Sequence, residues 1–301
     1  MSHCEIPHRR SVSYYPRSAL RVLREAAKTF LVIIRTTTNF WDALALIFEA
    51  RVFRNQDNRA IVFRNGTTVS LSWPEYVAAR RMVDKGYTVG RLGEFLLVER
   101  DKIKLVGPAD LVGVGNERLD RIYKCECKNK VVLDVGGFIG DTAVLFSTWG
   151  ARKIIVYEPV IFYHEFIKMN LMLNGIDAEL HEEGIADRDG YNVIRYNTLD
   201  CTFGLRSKGI REITIRVRDV ASVIQESHAE IAKFDCEGAE KSLLGVNNEI
   251  LRLIGTYLIE VHDSETKESL VVKFQDAGFV CTSNLLLDQA GGISVVTFKR
   301  R

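Results

Sequence analysis

From residue 129 onward the sequence predicts an α/β fold whose mostly parallel sheet is covered by helices on both faces. Three observations predict it. Apolar strand runs alternate with helical segments, the first run ends in the glycine turn VVLDVGGFIGD (131–141), and the chain closes on two β-rich runs joined by Gly291-Gly292. Strand and helix in alternation mean βαβ crossovers, which build parallel sheets with both faces buried. The Gly-Gly turn between the last two runs predicts a closing antiparallel hairpin.

Residues 1–128 read as an accessory region of helices and small β elements, and 129–301 as the α/β domain. Residues 1–16 have no periodic pattern and are expected to be disordered. Helical spacing follows at 18–35 and 40–51, with Asn39 as the expected N-cap of the second helix. In AIVFRNGTTVSLSW (60–73), Asn65-Gly66 separates two β-rich runs, a hairpin signal in which both turn positions call for positive φ. Short strands are expected at FLLVER (95–100), KIKLVG (102–107) and RIYKCEC (121–127).

In 129–301 the expected strands are VVLDV (131–135), KIIVYE (153–158), AELHEEGI (178–185), IAKFD (231–235), TYLIEVH (256–262), FVCTSNLLL (279–287) and ISVVTFKR (293–300). Helices are expected at 141–149, 161–174, 219–228, 239–253 and 265–277. Residues 190–218 read as an insertion between the third and fourth strands, forming one wall of an acceptor pocket. Arg206 within it reads first as a solvated loop residue and second as a contact for an anionic acceptor.

Composition narrows the partners. A chain of 301 residues with 47% hydrophobic and 27% charged residues can bury a substantial core, and a net charge of +2 does not imply nucleic acid. The six cysteines show neither paired CxxC units nor histidines at matching spacing, so no metal site is expected from them and reduced thiols in the cytoplasm are. No apolar run approaches the roughly 20 residues of a spanning helix, and no signal peptide is expected. Between residues 9 and 35 the cations Arg9, Arg10, Arg17, Arg21, Arg24, Lys28 and Arg35 face Glu25 alone. They read first as a tail and a helix packed on its own domain, and second as a peripheral contact with an anionic membrane surface.

In an open α/β sheet ligands bind beyond the carboxyl ends of the strands. The residues expected there are Asp134 with Gly136, Gly137, Phe138 and Gly140; Glu158 and Pro159; Ile185, Ala186 and Asp187; Asp235 and Glu237; and Glu260 and His262. Glycines in the turn let a ligand approach the backbone and let a helix start close by at Asp141-Thr142. Glu158, 18 residues beyond Gly140, is placed to accept hydrogen bonds from both ribose hydroxyls of an adenosine. The turn reads D-x-G-G-x-x-G, whereas the dinucleotide fingerprint is G-x-G-x-x-G. A carboxylate on the strand would repel a pyrophosphate and suits a ligand with a cationic ammonium and sulfonium, which favours S-adenosyl-L-methionine.

In order along the chain, VVLDVGGFIGDTAVLF, VYEP, GIADRDG, KFDCEGAE and IEVH resemble the motifs of the FkbM family of S-adenosylmethionine-dependent methyltransferases, over about 129–301. The resemblance implies a class I methyltransferase (Rossmann-like) fold, with a seven-stranded sheet ending in an antiparallel hairpin, and O-methylation of a hydroxyl. By position it places Asp134, Gly136, Gly137 and Gly140 beside the methionine part of the cofactor, Glu158 at the ribose, and Ile185, Ala186 and Asp187 around the adenine. The chain departs from the family at Gly137-Phe138, where Ala followed by Asn is frequent, so an amide that could meet the cofactor is missing.

Methyl transfer to a hydroxyl requires alignment and removal of a proton. His262 is the expected general base, because an imidazole near its ordinary pKa of about 6.5 is available at neutral pH. Asp235 and Glu237 are expected to position the acceptor, share the base role, or join Glu260 or Asp263 around a divalent ion; Glu237 reads equally as a helix cap. Glu240 reads as structural or solvated charge on the following helix. The absence of an (N/D)-P-P-(F/Y/W) loop after the fourth strand favours oxygen over an exocyclic nitrogen. The leading expectation is therefore O-methylation of a sugar, glycolipid or similar small-molecule or glycan acceptor. The alternatives are an RNA methyltransferase that uses residues 1–128 for recognition, and a catalytically inactive cofactor-binding scaffold.

Overall fold

The computed structural model describes residues 31, 33–48, 57–114, 119–197, 200–204, 211–288 and 292–301. The expected disorder of 1–16, most of the 18–35 helix, the cations from Arg9 to Lys28 and Arg206 lie outside them. No helix among the described residues is long and apolar enough to cross a membrane.

Helix α1 (Phe40–Phe48) begins after Asn39, whose side-chain amide donates to Asp42 Oδ2 in the first turn at 3.0 Å. The Asn39 oxygen accepts from Val62 N–H at 2.8 Å and its amide donates to the Ala60 carbonyl at 2.8 Å, tying the helix start to β1 (Arg59–Val62). Strand β1 pairs with β2 (Thr68–Leu71) as the expected hairpin. In its turn only Gly66 has positive φ, at 87°, and Gly66 N–H closes back on Phe63 O at 3.0 Å; Asn65 does not take the second positive φ.

Helix α2 (Trp73–Asp84) was not expected from the strand reading that ran into Trp73. Its start is written in Ser72 and Glu75, whose carboxylate accepts from Ser72 N–H and Oγ at 2.8 Å each, with Pro74 in the first turn. A meander of β3 (Thr88–Leu92), β4 (Phe95–Arg100) and β5 (Ile103–Gly107) follows, then two short helices, α3 (Ala109–Val114) and α4 (Leu119–Ile122). Residues 121–127 form no strand. Their alternation instead marks Tyr123 and Cys127, both 1% exposed, as side chains tucked under the next sheet.

The main sheet contains β6 (Val131–Val135), β7 (Lys153–Tyr157), β8 (Glu179–His181), β13 (Ile231–Phe234), β14 (Thr256–Val261), β15 (Phe279–Asp288) and β16 (Ile293–Arg300). Its order is β15-β16-β14-β13-β6-β7-β8, parallel except where β16 runs against both β14 and β15. This is the class I methyltransferase (Rossmann-like) architecture, with its closing hairpin. Strand order reverses between β6 and β13, so a crevice opens at their carboxyl ends.

Alternate residues of each strand serve opposite faces. Val131, Leu133 and Val135 pack with α7 (Val220–Ser227) and α9 (Ser264–Asp276), while Val132, Ile154 and Val156 pack with α5 (Asp141–Thr148) and α6 (Ile161–Leu173). Both faces are closed to water, which is why β6 is a continuous apolar run interrupted only at Asp134. The buried Asn170 amide on α6 donates to Val106 O at 3.1 Å and Ile139 O at 2.8 Å and accepts from Val106 N–H at 2.7 Å, joining β5 to the glycine turn.

Two expected elements break. AELHEEGI is not one strand: β8 ends at His181 and β9 (Gly184–Ala186) leaves the main sheet to pair with the insertion. There β10 (Gly190–Asn197), β11 (Asp200–Gly204) and β12 (Arg211–Asp219) form a second sheet of order β11-β10-β12-β9. The helix expected at 239–253 is a 3₁₀ segment at Ala239–Gly245 followed by the single turn α8 (Asn248–Leu251).

Candidate active site

The glycine turn is shaped by its own chain. Gly136 has φ 83°, and a Cβ there would sit 1.7 Å from the Asp235 carbonyl oxygen; one on Gly137 would sit 2.2 Å from Val156 Cγ1. Gly140, also at φ 83°, precedes α5 in the left-handed conformation that favours glycine. Gly136 and Gly137 thus let β6, β7 and β13 converge.

The turn's amides are also committed. Gly136 and Gly137 donate to Tyr157 O at 2.9 and 3.2 Å, Phe138 to Glu158 Oε2 at 2.9 Å, and Gly140 to Gly137 O at 2.7 Å. A pyrophosphate would find none of these four donors free.

Asp134 is fully buried on the α5 face of β6. Its Oδ2 accepts from Thr142 Oγ1 at 2.6 Å, and its Oδ1 lies 3.1 Å from Lys233 Nζ, close but outside hydrogen-bond alignment. Lys233, 1% exposed in the middle of β13, donates to Gly136 O at 2.6 Å. Burial alone would lower its pKa, but Asp134, Asp235 and Asp141 outweigh it and hold the ammonium charged. Asp134 thus meets a cation supplied by the protein, not an open space for the cofactor's ammonium. Lys233 was missed because a lysine in an apolar run reads as an interruption; its place two residues before Asp235 was the available signal.

Asp141 and Glu158 carry the less compensated charge. Burial raises Asp141 to about 6, against the pull of Lys233 and the Thr142 N–H. Burial raises Glu158 to about 7, against hydrogen bonds from Val160 N–H and Phe138 N–H, both 2.9 Å. Each Glu158 oxygen keeps a lone pair for a diol. Phe138, at φ 48°, packs its ring edge-on to Tyr163 at 4.8 Å, and Pro159, next to Glu158 in sequence, is half-buried. Ile185 is buried, Ala186 half-buried and Asp187 exposed; they continue from β9, not from the third strand of the main sheet, whose tip is His181 stacked on Tyr157 at 4.3 Å.

Beyond β13 and β14, Asp235, Glu237 and His262 come together, with ligand atoms all within 4.8 Å of one another. That set could hold a divalent ion, with His262 in the place expected for Glu260 or Asp263. Asp263 is not part of it, because its carboxylate caps α9 through Thr266 N–H at 2.6 Å. His262 Nε2 lies 3.4 Å from Glu237 Oε2 and 3.5 Å from Glu260 Oε1, and Nδ1 lies 3.4 Å from Glu240 Oε1. Burial would lower the imidazole pKa, but the Glu240 hydrogen bond and the charges of Glu237, Glu240 and Asp235 raise it to about 9. These surroundings favour the charged imidazole, against the neutral form expected of a general base. Glu240 is fully buried and accepts from Gly238 N–H at 2.8 Å, so it is a structural anchor and not a solvated charge.

No family model and no curated protein matches the chain. Among solved structures it is similar to a candidate RNA methyltransferase from Pyrococcus horikoshii (14% identity, 63% of this chain and 84% of that one, TM-score 0.40). It is also similar to a candidate S-adenosylmethionine-dependent methyltransferase from Streptococcus mutans (12%, 77% and 68%, TM-score 0.43). A third is the precorrin-6y C5,15-methyltransferase from Geobacter metallireducens (11%, 60% and 85%, TM-score 0.37). At these identities and scores the fold assignment rests on the chain's own strand order.

Proposed function

We propose that this chain binds S-adenosyl-L-methionine in the crevice between β6 and β13 and transfers its methyl group to a hydroxyl of a sugar, glycolipid or similar metabolite, as the FkbM-like order of its motifs implies. The observation that carries the reading is the charge at the strand ends. Asp134, Asp141, Glu158, Asp235, Glu237, Glu240 and Glu260 gather there around Lys233 and His262, beside a turn whose Gly136, Gly137, Phe138 and Gly140 amides are committed to the protein. Such a crevice favours a cationic ligand and disfavours phosphates.

Glu158 would hold the ribose diol, with Pro159 and Phe138 beside it and Ile185 and Ala186 toward the adenine. Asp141 and Asp235 are placed for the cationic half, while Asp134, Thr142 and Lys233 keep the turn in shape. When bound, the cofactor supplies a methyl group on a sulfonium, a carbon already activated for displacement. The protein's task is to align the acceptor oxygen and take its proton. Because the carboxylates around His262 favour its charged form, the proton goes to a carboxylate, and Asp235, with its side chain 29% exposed at the crevice, is placed to receive it.

Incubation with S-adenosylmethionine labelled in its methyl group and a panel of sugars, glycolipids and RNA tests the reading. Label on a hydroxyl oxygen of a small acceptor is expected; transfer confined to RNA, or no transfer despite cofactor binding, would replace it with one of the alternatives.

A further inference from the structure

Strand β15 (Phe279–Asp288) is ten residues long and stands last in the main sheet, with no described strand beyond it. A strand so placed turns one row of backbone N–H and C=O groups away from its own sheet, where they can template another strand. Every other strand at a sheet edge among the described residues is three to five residues long. The opposite edge of the main sheet is blunted further: β8 has three residues, and its Glu179 is ion-paired with Lys153 at 2.6 Å.

Nothing of that kind blunts β15. Residues 279–287, FVCTSNLLL, include no charged residue and no proline. Phe279 is buried against Phe274 of α9, but each residue of 281–286 is exposed, although successive side chains point to opposite faces. The strand therefore outruns the helices that cover the rest of the sheet, and Leu285 and Leu286, 42% and 48% exposed, put an apolar side chain on each face. Its register against β16 shifts between Cys281 and Ser283 and again between Leu286 and Asp288, so 283–286 is the regular stretch.

The absence of charge selects the occupant. When two copies join about a two-fold axis through an edge strand, the strand lies antiparallel to itself, and residues near the axis face their own counterparts or close neighbours. A charge there would meet its like, which is destabilising. Residues 279–287 hold none. An axis through 283–286 brings Leu285 and Leu286 of one copy beside the same pair of the other. The arrangement also closes, because each copy uses its one long edge and keeps only the short, charged β8 at the far side.

We propose that β15 is a dimerisation edge that pairs antiparallel with β15 of a second copy and carries the main sheet across a two-fold axis. Strands β16 and β14 stand between it and β13, so the pairing leaves the crevice open. The inference does not depend on the methyltransferase reading.

Sedimentation velocity of the full chain over a wide range of concentration, with hydrogen exchange at both ends of that range, tests it. A mass of two chains is expected at high concentration, with amide exchange over 279–288 slowed as the dimer forms. Leu285→Lys and Leu286→Lys place like charges across the axis and should each weaken the dimer by about tenfold, since symmetry counts each substitution twice. Both side chains are already exposed, so the melting temperature of the dilute protein is expected to stay at the wild-type value in each variant. Met172→Lys on α6, 74% exposed, should leave the dimer intact. A monomer at every concentration overturns the proposal, as does a dimer that survives both leucine substitutions, fails with Met172→Lys, or grows beyond two chains. Slow exchange over 279–288 that is independent of concentration overturns it in favour of an occupant from the same chain.

Discussion

Gly136→Ala isolates the contact on which the crevice depends. Forcing a side chain into the left-handed region costs about 1–2 kcal/mol. The new Cβ would lie 1.7 Å from the Asp235 carbonyl oxygen, so the end of β13 must move, and overpacking of that kind costs about 1–3 kcal/mol. The expected loss is about 2–5 kcal/mol, a large part of the roughly 5–15 kcal/mol that holds a domain folded. Two controls separate the causes. Gly175, at φ 65° with nothing within 4 Å of a Cβ, exposes backbone strain alone; Gly137, whose Cβ would meet Val156 Cγ1 at 2.2 Å, exposes crowding alone. Urea denaturation of the three alanine variants should rank Gly136 as the most damaging, and titration with S-adenosylhomocysteine should show its binding lost. A Gly136→Ala protein within about 0.5 kcal/mol of wild type, with unchanged binding, would refute the reasoning that the turn is shaped against β13.

Further outcomes follow from the buried charges. Lys233→Met leaves Asp134 unpaired in the core and should cost about 3–5 kcal/mol in denaturant, much of it recovered when Asp134→Leu is added; no loss in the single variant would mean that the pair is not formed. Glu158 has a folded pKa of about 7 against 4.5 for the free group, so the native state binds the extra proton. Stability from this group is full below about pH 4.5 and falls as pH rises to 7, a decline that Glu158→Gln should remove from melting curves. His262, raised to about 9, has the same sign in a higher window: its contribution is full below about pH 6.5 and is lost as pH rises through 9, a loss that should be absent in His262→Gln.

How much was legible depended on whether function and packing wanted the same residue. The parallel strands could be read because burial on both faces makes them continuous apolar runs, and the acids at their ends stood out against those runs. AELHEEGI misled because apolar residues on both sides of Glu182-Glu183 look like one strand, while Gly184 lets the chain pass beside Pro159 and Val217 into a second sheet. RIYKCEC misled because its alternation records Tyr123 and Cys127 facing the core from a loop. For α2, the Ser72–Glu75 capping pair was present but was overridden by the β-rich run before it. Tyr123 was not legible and Lys233 only through its place two residues before Asp235, since a buried lysine or tyrosine shows its purpose when its partners, Asp134 in one case and Asp235 with Glu260 in the other, are brought to it by distant segments.

The central claim is that the crevice between β6 and β13 is built for a cationic adenosyl ligand. Isothermal titration of the full chain with S-adenosylmethionine and, in parallel, with NADH tests it most directly. The account predicts one S-adenosylmethionine bound per chain, an affinity lowered at least tenfold, or about 1.4 kcal/mol, by Glu158→Ala, and no NADH bound. Heat from NADH, or none from S-adenosylmethionine, would contradict it.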